Sequence, residues 1–203
     1  MIIDISQLSG FEAYNALTQT IVPRPVAWVL SDNGNGSHNL APFSYFGALT
    51  SDPPLFTLSI ARKADGDAKD TLHNIEQRDF FVVHIPHREQ ARLVTDSAKP
   101  LEHGDSEVSL LGLELTEFAG FPLPRIKQSR IALGCSRHQI LEIGPSAQPL
   151  IVCEIKSIYI EDSLVDSSPD QPLHVNALKL DPLGRLGGED YVTMGEILTI
   201  PGR

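Results

Sequence analysis

The chain has 203 residues, of which 41% are hydrophobic, 21% charged and 6% aromatic, a composition that supports a packed core and excludes disorder, collagen and coiled coil. Sixteen Lys and Arg against 26 Asp and Glu give a formal net charge of −10, a field that repels a phosphate-dense polymer, so nucleic acid is not an expected partner. The length predicts a single domain over residues 1–203 that needs no disulfide or structural metal.

Ser9 and Glu12 have capping-box spacing, and Phe11, Tyr14, Ala16 and Leu17 follow at helical intervals, which predicts a helix over 9–18 ended by Pro23 and Pro25. Val26–Leu30 is a short apolar run before the turn cluster Asp32-Asn33-Gly34-Asn35-Gly36, so a hairpin is predicted whose return strand begins near His38. The turn sequence lacks the third glycine of a dinucleotide fingerprint. Asn39–Phe46 reads as one apolar strand with polar insertions, and Leu55–Ala61 and Phe80–Ile85 read as strands flanking a helix over 70–77, with Leu72 and Ile75 on one face. A second helix is expected over 88–95, with Ala91, Leu93 and Val94 turned partly inward. Two long strands follow at Ile131–Leu141 and Leu150–Ile160, the latter with Ile151, Cys153, Ile155, Ser157 and Tyr159 on one face. Many strands and few, non-alternating short helices predict a mostly antiparallel barrel rather than a doubly wound parallel sheet.

Cys135 and Cys153 have no CxxC spacing and read as small buried apolar residues. The seven histidines show no HExxH or HxH spacing, so no metal site is expected, and no GxSxG elbow supports a serine hydrolase. The N-terminus has no basic and apolar leader pattern, and no run approaches ~18 apolar residues, so the expected location is the cytoplasm, without membrane spanning.

The informative strings are Pro23-Arg24-Pro25-Val26-Ala27-Trp28-Val29, Asn39-Leu40-Ala41-Pro42-Phe43-Ser44-Tyr45-Phe46, Ser51-Asp52-Pro53-Pro54 and Lys69-Asp70-Thr71-Leu72-His73-Asn74-Ile75. In this order, and with Phe80–His84, Pro124-Arg125-Ile126 and Arg185–Tyr191 after them, the chain resembles the flavin reductase-like FMN-binding proteins, a family that includes flavoredoxins and NAD(P)H:flavin oxidoreductases. The resemblance implies a mostly β, Greek-key antiparallel split β-barrel with a few short helices. It also implies FMN as cofactor, a homodimer with the flavin at or near the subunit interface, and a cofactor site near Arg24 and near the segment that ends at Tyr191. His84 stands where Asn is common in that family.

The residues themselves suit such a cofactor. A terminal phosphate requires a cation and free N–H groups, and Lys69 before a helix start at Asp70-Thr71 offers charge, hydroxyl and the positive end of the helix dipole. In that reading the Asp70 carboxylate turns inward as the N-cap, toward the N–H near His73. Asn39, Ala41, Pro42, Ser44, Tyr45 and Phe46 combine apolar walls with a few polar groups, as a flavin ring with a polar rim requires, with Ser44 and Tyr45 at the rim. Ser59, Ala61 and Arg62 are expected on the ribityl-phosphate side, and Trp28 in the core. The function expected is a flavin oxidoreductase that draws on NAD(P)H. Its rival is an FMN electron carrier that serves a redox partner protein and has no nicotinamide-dependent activity of its own. A barrel that binds no flavin is a third possibility.

Overall fold

The computed structural model describes residues 1–63, 65–168 and 170–200. Helix α1 (Gly10–Thr20) is followed by β1 (Arg24–Pro25), β2 (Ala27–Asp32), β3 (His38–Phe43), β4 (Phe46–Ser51), β5 (Pro54–Ser59), α2 (Asp70–Arg78) and β6 (Phe80–His84). Then come α3 (Ala91–Asp96), α4 (Glu107–Leu110), β7 (Leu115–Thr116), β8 (Arg125–Ile126), the long strands β9 (Ile131–Ile143) and β10 (Gln148–Ile160), α5 (Ala177–Leu180), β11 (Gly184–Arg185) and β12 (Tyr191–Val192).

The core is a seven-stranded antiparallel sheet in the order β3-β2-β6-β9-β10-β5-β4. Its two edge strands, β3 and β4, are consecutive in the chain and joined only by Ser44 and Tyr45. Two linking residues hold the strand ends within about 11 Å of each other, so the sheet curls until its edges meet at one corner. This is a split β-barrel. Asn39–Phe46, expected as one strand, is therefore broken at that corner. Pro42 is tolerated inside β3 because an edge strand can spare a ladder donor.

Strand alternation divides the apolar residues between two cores. Ala27 and Val29 of β2 join Phe56, Leu58, Phe81, Val83, Cys135, Ile151 and Cys153 inside the barrel, where Leu72 and Ile75 of α2 also pack. Trp28 and Leu30, one residue out of phase, join Leu40, Val82, Val94, Ile126 and Ala132 on the other face. Trp28 is fully buried, as expected, and its Nε1 donates to Ser97 Oγ at 2.9 Å. Irregularities in the β9–β10 register at Val152/Cys153 and Ile155/Ser157 divide the face expected to be continuous: Ile151, Cys153 and Ile155 pack in the first core, Tyr159 in the second. Both cysteines are free and buried, and burial pushes their pKa values up.

Local signals hold where short-range chemistry suffices. Ser9 caps α1 with both capping-box bonds formed. In the β2–β3 turn Gly34 and Gly36 adopt φ of 75° and 86°, which side chains resist. The helix expected over 88–95 is instead a 3-10 turn, Arg88–Gln90, running into α3, with His87 N–H held by Gln90 Oε1 at 3.2 Å. No helix among the described residues is long and apolar enough to cross a membrane.

Candidate functional site

Strand β3 carries Asn39, Ala41, Pro42 and Phe43 along a cleft of about 450 Å³. One side is formed by Arg62 and Lys63, which follow β5, and by Lys69, Asp70 and Thr71 at the start of α2. The other side comes from Ser97–Leu101, after α3, and from Glu107. Of the expected site residues, Asn39, Ala41, Pro42, Arg62, Lys69, Asp70 and Thr71 are thus brought together.

Lys69 is the N-cap of the nine-residue helix α2 and makes no side-chain capping bond. The first N–H groups of a helix have no intrahelical partner, so its ammonium adds to a local positive potential. Its Nζ lies 5.7 Å from the Phe43 ring centroid, and burial lowers its pKa. Arg62 pairs with Glu142, Lys63 with Asp70, and Lys99 with Asp96, whereas Lys69 has no acidic partner among the described residues. A half-buried, unpaired cation beside free helical N–H groups fits the phosphate end of a flavin nucleotide.

Asp70 departs from expectation. It is the first helical residue rather than the cap, and its carboxylate turns to the loop, accepting from Lys63 Nζ at 3.2 Å and the Gly104 N–H at 3.4 Å, with His103 Nδ1 at 3.1 Å. Burial pushes its pKa up, but these hydrogen bonds outweigh it and leave the carboxyl below its ordinary range. Tied up in this way, the carboxylate acts as a strut for the cleft wall.

Asn39 and Thr71, distant in sequence, are hydrogen-bonded: Asn39 Nδ2 donates to Thr71 Oγ1 at 2.8 Å and also to Ser31 Oγ at 3.3 Å. Both amide hydrogens of Asn39 are therefore spent inside the protein, so the amide counted among the strand's polar groups is not free to donate to a ring.

Arg24, Ser44, Tyr45 and Phe46 line a separate depression of about 340 Å³ with Leu17, Ile21, Pro23 and Pro25. The corner between β3 and β4 separates it from the cleft, since Phe43 lines one and Ser44 the other. Arg24 is buried with its guanidinium satisfied: Nη1 donates to Thr18 O and Ile21 O at 2.8 and 2.7 Å, and Nη2 to Leu186 O at 2.9 Å, with Nε 3.4 Å from Ser44 Oγ. It staples the end of α1 to the Leu186 loop, as a cation at a helix C-terminus does.

Ser59 Oγ accepts from Gln148 Nε2 at 3.1 Å and lies outside the cleft lining, as does exposed Ala61. Tyr191 pairs with Arg185 across β11 and β12, its ring 4.6 Å from the guanidinium carbon, and packs on the second core. It too lines neither cavity.

Sequence reasoning missed the wall formed by Ser97–Leu101 and Glu107. Glu107 Oε2 accepts the Leu40 N–H at 2.8 Å, and Ser106 Oγ donates to His38 O at 2.6 Å, so two adjacent side chains imitate a neighbouring strand along the open edge of β3. Burial raises the Glu107 pKa, with Asp70 and Asp105 adding to the shift against the bond from Leu40. No local pattern announces a side chain that completes a sheet edge nearly 70 residues earlier.

Comparison with known proteins identifies the family of this fold. Residues 19–177 match the model of the flavin reductase like domain. Nitrilotriacetate monooxygenase component B from Bacillus cereus is 29% identical, with a TM-score of 0.89 over 98% of each chain. The 2-nitrobenzoate 2-nitroreductase NbaA of Pseudomonas fluorescens is 32% identical, with a TM-score of 0.86 over 99% of this chain and 96% of the other. An FMN-binding protein from Thermus thermophilus shares the fold at 19% identity, with a TM-score of 0.72 over 99% of both chains. A match that runs through the β3 corner, the α2 start and both long strands leaves one assignment: the chain belongs to the flavin reductase-like domain family, whose activity is flavin-related oxidoreduction.

Proposed function

We propose that the chain is an FMN-dependent oxidoreductase that takes reducing equivalents from NAD(P)H. The observation that carries this reading is Lys69, a half-buried ammonium with no acidic partner among the described residues, at the start of α2 in a cleft of about 450 Å³. Lys69, the Thr71 hydroxyl and the first N–H groups of α2 hold the terminal phosphate. Ala41, Pro42 and Phe43 form an apolar wall for the ring. Bound FMN supplies the ring that accepts hydride or electrons, and the chain holds it, shields it and controls access. A terminal phosphate site also favours FMN over FAD, since an adenylate would have to leave through it.

Extraction of bound cofactor from the purified protein is expected to yield FMN, and anaerobic NADH or NADPH oxidation is expected to depend on it. Extraction of FAD alone sinks the phosphate argument. FMN binding without nicotinamide oxidation turns the reading into that of an electron carrier serving a redox partner protein.

The working form in this proposal is a homodimer. Helix α1 is amphipathic, yet its large apolar residues face outward: Phe11 is 74% exposed, Tyr14 55% and Leu17 46%, with the capping Ile21 at 58%, while Thr18 is its buried residue. A stripe of that kind next to the second depression suits a partner surface, and a second copy supplies a matching one. Light scattering is expected to report twice the 22.2 kDa chain mass, and Leu17→Glu to shift the protein toward monomer. A wild-type monomer that retains flavin would reject the dimer.

A further inference from the structure

Thr71 is 1% exposed and Asn39 4% exposed, yet both line the cleft. They end a chain of side-chain hydrogen bonds that begins at the part-buried β2–β3 turn and is buried from Ser31 and Asn74 onward. Asn33 Nδ2 lies 2.9 Å from Ser37 Oγ and 3.2 Å from the carbonyls of both Gly104 and Asp105, acceptors that mark it as the donor end of the amide and leave Asn33 Oδ1 as an acceptor. Asn74 Nδ2 therefore donates, to Asn33 Oδ1 at 2.9 Å and to Ser31 Oγ at 3.1 Å, and Asn74 Oδ1 accepts from Arg78 Nη1 at 3.4 Å. The amide of Asn39 adds donations to Ser31 Oγ at 3.3 Å and Thr71 Oγ1 at 2.8 Å. With its oxygen receiving the Asn39 amide, Thr71 has its own hydroxyl hydrogen left to give, and no acceptor for it lies among the described residues. A buried donor without an acceptor is costly unless a ligand supplies one.

We propose that Asn39 is a positioning residue: by filling the acceptor side of Thr71 Oγ1, it turns the Thr71 hydroxyl into a donor directed at an anionic group, a phosphate monoester, in the cleft. This rests on the proposed phosphate site at α2. Asn39 itself then sets the polarity of the contact rather than making it. Ser31 and Asn74, which line neither cavity, keep the Asn39 amide in register.

The test is the ratio of riboflavin to FMN dissociation constants, read from flavin fluorescence for wild type, Thr71→Val, Asn39→Ala and the double variant. Riboflavin has no phosphate, so a folding defect weakens both ligands and leaves the ratio unchanged. Thr71→Val is expected to lower the ratio about tenfold or more, the loss of one hydrogen bond to a charged group. Asn39→Ala is expected to lower it about threefold or more alone and not at all in the Thr71→Val background, since contacting residues that act through one another are not additive. If Asn39→Ala does not fold, Ser31→Ala takes its place in the same cycle, with the same coupling expected. An unchanged ratio, or a full effect without Thr71, overturns the inference. A raised ratio also overturns it, because an amide turned the other way draws the Thr71 hydrogen inward. Lys69→Ala separates the two levels: if it collapses the ratio while the Asn39 cycle stays flat, the phosphate site stands and only the role of Asn39 falls. If wild type shows no preference for FMN, the phosphate site falls with it.

Discussion

Replacing Lys69 with alanine is expected to weaken FMN binding by about one to two orders of magnitude, the loss of a hydrogen bond to a charged group worth roughly 1.5–3 kcal/mol. Lys63, Lys99 and Arg62 also line the cleft, but each is committed to an acidic partner, so none replaces the missing charge without breaking an ion pair. Burial already lowers the pKa of Lys69, a cost that a bound anion offsets and that its absence leaves in place. Riboflavin affinity is therefore expected to hold. Equal losses for FMN and riboflavin in a dissociation-constant measurement would return Lys69 to an ordinary charge at a helix start.

Stability is expected to depend on pH through His84. Its ring is fully buried beneath the second core, with Nδ1 3.1 Å from Trp28 O and Nε2 accepting the Ile126 N–H at 3.0 Å. An acceptor at Nε2 puts the hydrogen on Nδ1, where it is donated to Trp28 O, so the neutral ring joins β2 to β8 with both nitrogens used. Burial, with Arg125 adding to it against the Trp28 bond, lowers the pKa from 6.5 to about 4. A folded-state pKa below the unfolded one means that the unfolded chain takes up the proton first, so this contribution is complete above pH 6.5 and is lost as pH falls toward 4. Between pH 7.5 and 5 the loss is about 2 kcal/mol. His84→Gln, which keeps a donor and an acceptor without titrating in this range, is expected to flatten that part of the pH profile in urea denaturation. His84→Ala is expected to cost about 2–4 kcal/mol at neutral pH, because it leaves the Ile126 N–H unpaired and opens a cavity. A variant profile parallel to wild type between pH 7.5 and 5 would assign the slope to other groups.

The elements that local chemistry dictates are legible in the chain: the Ser9 capping box, the Gly34 and Gly36 turn, the apolar runs of β2 and β6, and Lys69 at the start of α2. Each depends on residues no more than a few positions apart, where spacing alone fixes geometry. The family resemblance was legible for the same reason, since its strings are contiguous. What tertiary structure decided was which groups remain available to a ligand. Asp70, expected inward as a cap, is drawn out by Lys63, His103 and Gly104; Arg24, expected near the cofactor, is satisfied by three backbone carbonyls; Tyr191 is held by Arg185. Thr71 gains its role only when the barrel brings Asn39 beside it, and the far wall of the cleft arrives with Glu107 covering the edge of β3. Residue type shows what a side chain can donate or accept, but the partners that use up this capacity come from remote segments of the chain, and only the folded barrel sets them at hydrogen-bonding distance.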